Sequence, residues 1–457
     1  MLIIMKRFVS LLFFSLIVVI PLVLGMASPT KIADARENNA VINIETEPNL
    51  EIHEGYVSQN EETVLVKSGR RTIAKVHLSE PVMVAMAEQY EEWGYFQFPT
   101  IGRADDGTLV ISWQMKADSH LAYGVNSDRP YSPMMSKDGG TLWAPQDKNY
   151  YTISNGYNVR LNNGSVLEVN TPASKNIKKY KSFPQPIVKE GNYTYYKMNT
   201  LPDDLQGVNF QIFDTNKGSY TIHSKIVDPS LLRYALDDMM PLVWWGSIKQ
   251  LADESLVAGI YPCLYLNDNG ELQKCGVSFY KSSDVGVSWE VISKILFNNK
   301  DMSPVRGEDQ FNEPVFEILR DSTFLCVMRT GSATPMYKTF SYDMGKTWTC
   351  PVPFTPNGVK PQLLKLGNGV LVLASGRPGI QLRFSLDGTG EKWTDPIDLI
   401  PFTKADGSYD NDVSCGYPCL LSEDDNTFYI VYSSFKERDK RGNERKAIIF
   451  RKVQISL

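Results

Sequence analysis

Chemistry in this 457-residue chain has to come from few candidates, because it holds only four histidines and six cysteines. Four histidines cannot build a His-rich metal cluster. The cysteines, Cys263, Cys275, Cys326, Cys350, Cys415 and Cys419, make no C-x-x-C zinc pattern. Several lie inside apolar runs such as Phe324-Leu-Cys-Val-Met328 and read as buried thiols, with one bridge, Cys326 to Cys350, left open. The acidic run from Asp406 to Asp412 lacks the spacing of a calcium loop and reads as a polar turn. No metal or organic cofactor is expected. His120 and Tyr123 share a loop and could act as base and acid in an elimination on a uronic-acid glycan. Trp244 and Trp245 could stack on sugar rings or pack between strands.

The elements that would position such groups announce themselves as a repeat. Ser136-Lys-Asp138-Gly-Gly140-Thr-Leu-Trp143 recurs at Ser282–Trp289 and at Ser341–Trp348. It recurs again, with one extra residue, at Ser385–Trp393. The shared pattern, S-x-D-x-G-x-x-W, is that of a tight turn. Its Asp can accept backbone N–H groups, its Gly can take a positive φ, and its Trp can plug the gap between neighbouring strands. Each box ends a longer unit. One such unit reads Glu313–Leu319, Thr323–Arg329, Met336–Ser341, then the box and Thr349–Val352, which is four short β-runs with turn signals between them. The wide gap between Asp138 and Asp284 leaves room for a further unit. There Phe210–Tyr220 reads as a decayed box, with an insertion near 172–206. Helical periodicity is nearly absent. The expected fold is all-β: a six-bladed β-propeller, with seven blades as the alternative. A strand within 63–78 would complete the last unit and close the ring.

Composition narrows the partners. With 47 basic and 52 acidic residues the net charge is −5, unlike a protein that lives on nucleic-acid phosphates. Lys6 and Arg7 precede an apolar run from Phe8 to Leu24, and small residues follow. Residues 1–27 therefore read as a secretory signal peptide, residues 28–60 as a loose leader, and 61–457 as a single propeller domain. The expected product is a secreted or periplasmic monomer with no membrane contact beyond the signal segment. Asn163-Gly-Ser and Asn192-Tyr-Thr match a glycosylation acceptor.

These boxes, on a six-unit β-chain, resemble the Asp-box repeats of the sialidase (neuraminidase) superfamily. A further likeness is to secreted bacterial sialidase-like proteins with Gly-Arg-Pro-Gly and Ser-Cys-Gly-Tyr loops. Here these read Gly376-Arg377-Pro378-Gly379 and Ser414-Cys415-Gly416-Tyr417. The resemblance implies a sialidase-type propeller and an exo-acting glycosidase on a terminal, sialic-acid-like sugar. Such a site pairs a Tyr nucleophile with a Glu base and clamps the sugar carboxylate with guanidinium groups. Matched by position, it places Tyr417 as nucleophile, Glu313 as its base, Asp118 as acid, and Arg329 and Arg377 as the anion clamp. Gln97 and His120 join as substrate-binding residues.

The first unit departs from the pattern. Where the family has Arg-Ile-Pro, this chain has Gln97-Phe98-Pro99. Losing one leg of the clamp weakens carboxylate binding by roughly 1.5–3 kcal/mol per charged hydrogen bond. That leaves room for another acidic or a neutral sugar. A uronic-acid lyase using His120 and a non-catalytic glycan-binding propeller are the two alternatives.

Overall fold

A computed structural model describes residues 62–68, 71–156, 158–214, 217–273, 276–297, 311–332, 334–404 and 406–457. The expected signal segment and leader, 1–27 and 28–60, lie outside the described residues, as does Cys275. Its regular structure is β-strand, apart from five one-turn 3-10 segments, and loops join the strands. Among the described residues no helix is long and apolar enough to cross a membrane.

The strands follow one another as antiparallel four-stranded meanders. The first is Tyr95–Arg103, Leu109–Met115, Met134–Ser136 and Ala144–Pro145. The next two are Asn158–Arg160 with Val166–Asn170, Val208–Asp214 and Gly218–Val227, and Trp245–Gln250 with Leu256–Tyr261, Gly276–Ser282 and Ser288–Leu296. Parallel pairing of Lys225–Val227 with Ser288–Glu290 fuses these two into one eight-stranded sheet. Two further meanders start at Asn312–Ile318 and Val359–Lys365. The last sheet joins both ends of the described chain. Cys419–Ser422, Thr427–Arg438 and Glu444–Ser456 pair in order, and Arg71–Leu78 and Val82–Met86 both add to Glu444–Ser456.

Apolar faces weld neighbouring sheets together. Phe279 and Val277 of one sheet share a core with Phe316, Phe324 and Cys326 of the next. Val315, Leu325 and Val327 use their opposite face against Leu363 and Leu373. This two-sided cover explains why Phe324–Arg329 is buried at every position rather than alternately. The last sheet packs against the first through Tyr429, Ile448 and Phe450 with Ile101, Leu109 and Ile111.

The four boxes make one turn. In each the Ser hydroxyl bonds the Asp carboxylate (Ser136–Asp138, Ser282–Asp284, Ser341–Asp343, Ser385–Asp387) and accepts the Gly N–H. Hydrogen bonds from the Thr347 side chain and N–H hold the half-buried Asp343 carboxyl down at about 2. Gly140 has φ 98°, and a Cβ there would meet the Phe450 ring at 2.3 Å, so the turn presses directly on the neighbouring sheet.

A separate five-stranded sheet stands outside the meanders: Lys175–Asn176, Met239–Met240, Leu232–Leu236, Tyr193–Lys197 and Val188–Glu190. The segment 172–206 supplies only part of it, because 232–240 returns to the same sheet. Its own core is built around Ile177, Tyr196, Leu205, Ala235 and Met240. Cys326 and Cys350 are not bridged. Among the described residues five cysteines are free, with Cys263, Cys326, Cys415 and Cys419 buried and Cys350 exposed.

Candidate active site

A repeated backbone device sets the site. Three strands carry a residue followed by proline in their first half: Phe98-Pro99, Glu313-Pro314 and Lys360-Pro361. Proline has no N–H for the ladder, and at each of these places the strand register slips. The residue before it takes a left-handed backbone, with φ of 51° at Phe98 and 44° at both Glu313 and Lys360. Such conformations cost about 1–3 kcal/mol each, and a non-glycine residue holds one only where its surroundings enforce it. Here the bulges gather the three residues around a fourth pre-proline residue, Tyr417.

The Tyr417 hydroxyl donates a short hydrogen bond to Glu313 Oε1. It accepts one from Arg329 Nη1 at 3.1 Å, and the same Nη1 lies 3.0 Å from Glu313 Oε1. All three residues are buried. The Lys360 N–H donates to the other Glu313 oxygen at 3.0 Å. The edge of Phe98 meets the Tyr417 ring at 4.9 Å. Burial alone would raise the Glu313 carboxyl. The charges of Arg329 and Lys360 and the bonds from Tyr417 and Arg329 outweigh it and hold the group below the ordinary carboxylate range. Burial, reinforced by the Glu313 charge, lifts the Tyr417 phenol well above its usual value, against the opposing pull of Arg329 and Arg377. The resting arrangement is therefore a neutral phenol donating to an ionised carboxylate.

Arg377 lies over the Trp93 ring, 5.6 Å from its centroid, and over Tyr417 at 6.0 Å. Its Nη1 donates to Ser332 Oγ at 3.1 Å, and Arg329 Nη2 donates to the same oxygen at 3.1 Å. Ser332 is exposed. Two guanidinium groups thus converge on one solvent-facing oxygen, as an anion clamp requires. Arg383, the other arginine of that unit, instead bonds Gln381 within the sheet.

Asp118 joins the group through Trp93, whose Nε1 donates to its Oδ2 at 2.9 Å. Burial raises the Asp118 carboxyl, a shift that the Trp93 bond and the Arg377 charge reduce. Gln97 is fully buried and braces the turn that carries Trp93, its amide oxygen accepting the Gly94 N–H at 3.0 Å. Arg103 and Arg129, which follow Gln97 in sequence, are committed elsewhere. Arg129 grips Glu91 through Nη1 at 2.7 and 2.6 Å, and Arg103 pairs with Glu423. His120 sits in a 3-10 turn against the five-stranded sheet. Its carbonyl accepts from Ser174 Oγ at 2.8 Å, and burial lowers its ring while the Asp237 charge opposes the shift.

Residue-by-residue matching passed over Lys360, Trp93, Ser332 and Phe98 as site members. The repeated x-Pro pairs early in the strands were the available signal for Phe98 and Lys360. Trp93 and Ser332 carried none. The loop geometry is tight: a Cβ on Gly376 would sit 2.2 Å from Gly416 Cα. Gly376→Ala is expected to displace the Tyr417 loop, lowering stability by about 1–3 kcal/mol in thermal unfolding, with activity falling alongside.

No protein-family model and no curated protein sequence matches the chain. Among solved structures it is similar to a protein of unknown function from Dyadobacter fermentans, at 16% identity and TM-score 0.57, over 83% of this chain and 99% of that one. It is also similar to a Hadza microbial sialidase, at 17% identity and TM-score 0.43, over 77% of this chain and 65% of that one. A third likeness is to an α-L-arabinanase of Penicillium chrysogenum, at 15% identity and TM-score 0.44, over 82% of this chain and 98% of that one. The Dyadobacter likeness shows a shared fold and nothing about activity.

Proposed function

We propose that the chain is an exported glycoside hydrolase of sialidase type. On this reading its four-stranded units are the blades of a six-bladed β-propeller and residues 1–27 direct export. It removes a terminal acidic, sialic-acid-like sugar. Tyr417 is the nucleophile, Glu313 its base, Asp118 the acid, and Arg329 with Arg377 holds the sugar carboxylate. Gln97 and His120 serve the substrate indirectly, through the turn and the loop they hold.

The observation that carries this reading is the Tyr417 hydroxyl held between Glu313 and Arg329. A phenol is a poor nucleophile until its proton has somewhere to go. Glu313 is positioned to take it, and a neutral phenol avoids setting a carboxylate against an anionic sugar. Arg329 serves both halves of the reaction. An anion that draws Arg329 toward itself weakens the pull on Glu313, and the carboxylate becomes a better base as the substrate arrives. Burial shifts Asp118 toward its protonated form, the direction an acid for the leaving oxygen needs.

The test is release of 4-methylumbelliferone from its sialic acid glycoside, beside a uronic-acid polysaccharide panel read by ultraviolet absorbance and reducing ends. Sialic acid release supports the reading. An unsaturated product that depends on His120 replaces it with the lyase, and saturable binding without turnover replaces it with a lectin. Arg377→Ala is expected to raise KM for the acidic glycoside about 10- to 150-fold, the equivalent of one charged hydrogen bond of ~1.5–3 kcal/mol. Steady-state kinetics on acidic and neutral aryl glycosides checks it, since only the acidic one should respond strongly.

A further inference from the structure

The two adjacent tryptophans have separate fates. Trp244 is buried among Phe210, Tyr280 and Trp289 in the core shared by two meanders. Trp245 is only half-buried. The Tyr123 ring meets it at 5.5 Å and 71°, and the Tyr261 ring at 5.4 Å and 40°. All three residues are half-buried.

This aromatic group adjoins the catalytic cluster. Tyr123 lies five residues after Asp118, on the loop that Trp93 ties down at one end. The five-stranded sheet and its lead-in hold the other end. Ser174 bonds the His120 carbonyl, and a Cβ on Gly124 would fall 2.1 Å from the Ala173 N. Burial raises the Tyr261 hydroxyl, and the charges of Glu313, Arg329 and Asp118 all act on it. Tyr261 thus lies within electrostatic range of the Glu313 carboxylate while its ring touches the Trp245 indole. The inserted sheet fixes a loop whose one end holds the acid and whose other end holds an aromatic ring.

We infer that Trp245, flanked by Tyr123 and Tyr261, is the floor of a second sugar subsite that receives the ring joined to the terminal sugar. A pyranose presents an apolar C–H face that stacks on an indole and a rim of hydroxyls that suits neighbouring phenols. The ligand class is therefore a di- or longer oligosaccharide rather than a free monosaccharide. The inference rests on reading the Tyr417 site as a sugar site, but not on hydrolysis there.

Binding is measured by isothermal titration in the Tyr417→Phe background, so that turnover plays no part. The probes are 3′-sialyllactose, 6′-sialyllactose, trigalacturonic acid and maltotriose, each beside the monosaccharide of its non-reducing end. At least one trisaccharide is expected to bind about tenfold or more tighter than its monosaccharide. Trp245→Ala should erase most of that ratio, Trp245→Phe should keep much of it, and Tyr123→Ala should reduce it. Thermal unfolding separates these effects from misfolding. Equal affinity for trisaccharide and monosaccharide, a ratio untouched by Trp245→Ala, or no binding by any probe would overturn the subsite. Absent turnover with an intact ratio would sink the hydrolase reading alone.

Discussion

Tyr417→Phe is expected to lower the rate of glycoside release by about a thousandfold or more while the protein stays folded. The change removes one oxygen and nothing else. The ring keeps its edge contact with Phe98 and its place beneath Arg377. Glu313 keeps Arg329 at 3.0 Å and the Lys360 N–H, so no buried charge is stranded. The stability change should stay within about 1–1.5 kcal/mol, the net worth of an ordinary hydrogen bond. Single-turnover rates with wild type and variant, together with near-ultraviolet circular dichroism and thermal unfolding, separate the two effects. A variant retaining a tenth of wild-type activity would remove Tyr417 from the nucleophile's role. Any surviving reaction would then require a nucleophile other than this phenol.

Much of this architecture is legible in the chain because it repeats. The Ser-Asp-Gly boxes mark the turns, and their hydrogen bonds recur at all four positions. The runs between them give the strands, because a strand covered on both faces reads as unbroken apolar residues. The site is legible only by position. Arg329 and Arg377 lie at the ends of the second strands of successive units, and Glu313 and Tyr417 each stand before a proline where their units begin, so geometry that repeats brings them to one place. What breaks the repeat stays hidden. The five-stranded sheet draws 175–197 and 232–240 together across an intervening strand pair, and no local pattern signals that pairing. Ser332 is an exposed loop serine whose meaning comes from two guanidinium groups, one three residues before it and one from the next unit. Gln97 illustrates the opposite limit. Its residue type suggests a substitute ligand, while its full burial and its bond to Gly94 make it a brace for Trp93.

Arg329→Met should produce the second large effect, and its pattern discriminates between a structural and a chemical role. Arg329 is the charge that most offsets the burial of Glu313. Removing one member of a buried pair typically costs about 3–5 kcal/mol, because the partner's charge is left without compensation. Glu313 sits below its unfolded value in the native protein. Its ionisation therefore stabilises the fold above the ordinary glutamate pKa of about 4.3, and that contribution fades as pH falls through the lowered native value. In Arg329→Met burial dominates and the Glu313 pKa rises. The stabilisation should then disappear at higher pH than in wild type, and the acid limb of any activity should move upward with it. Adding Glu313→Gln to Arg329→Met removes the stranded charge. The double variant should recover much of the lost stability in urea titrations at neutral pH and recover none of the activity. A purely structural arginine predicts the reverse: no shift of the acid limb, and no rescue by Glu313→Gln. Because Arg329 touches Tyr417, Glu313 and Ser332 at once, the geometry favours the coupled outcome.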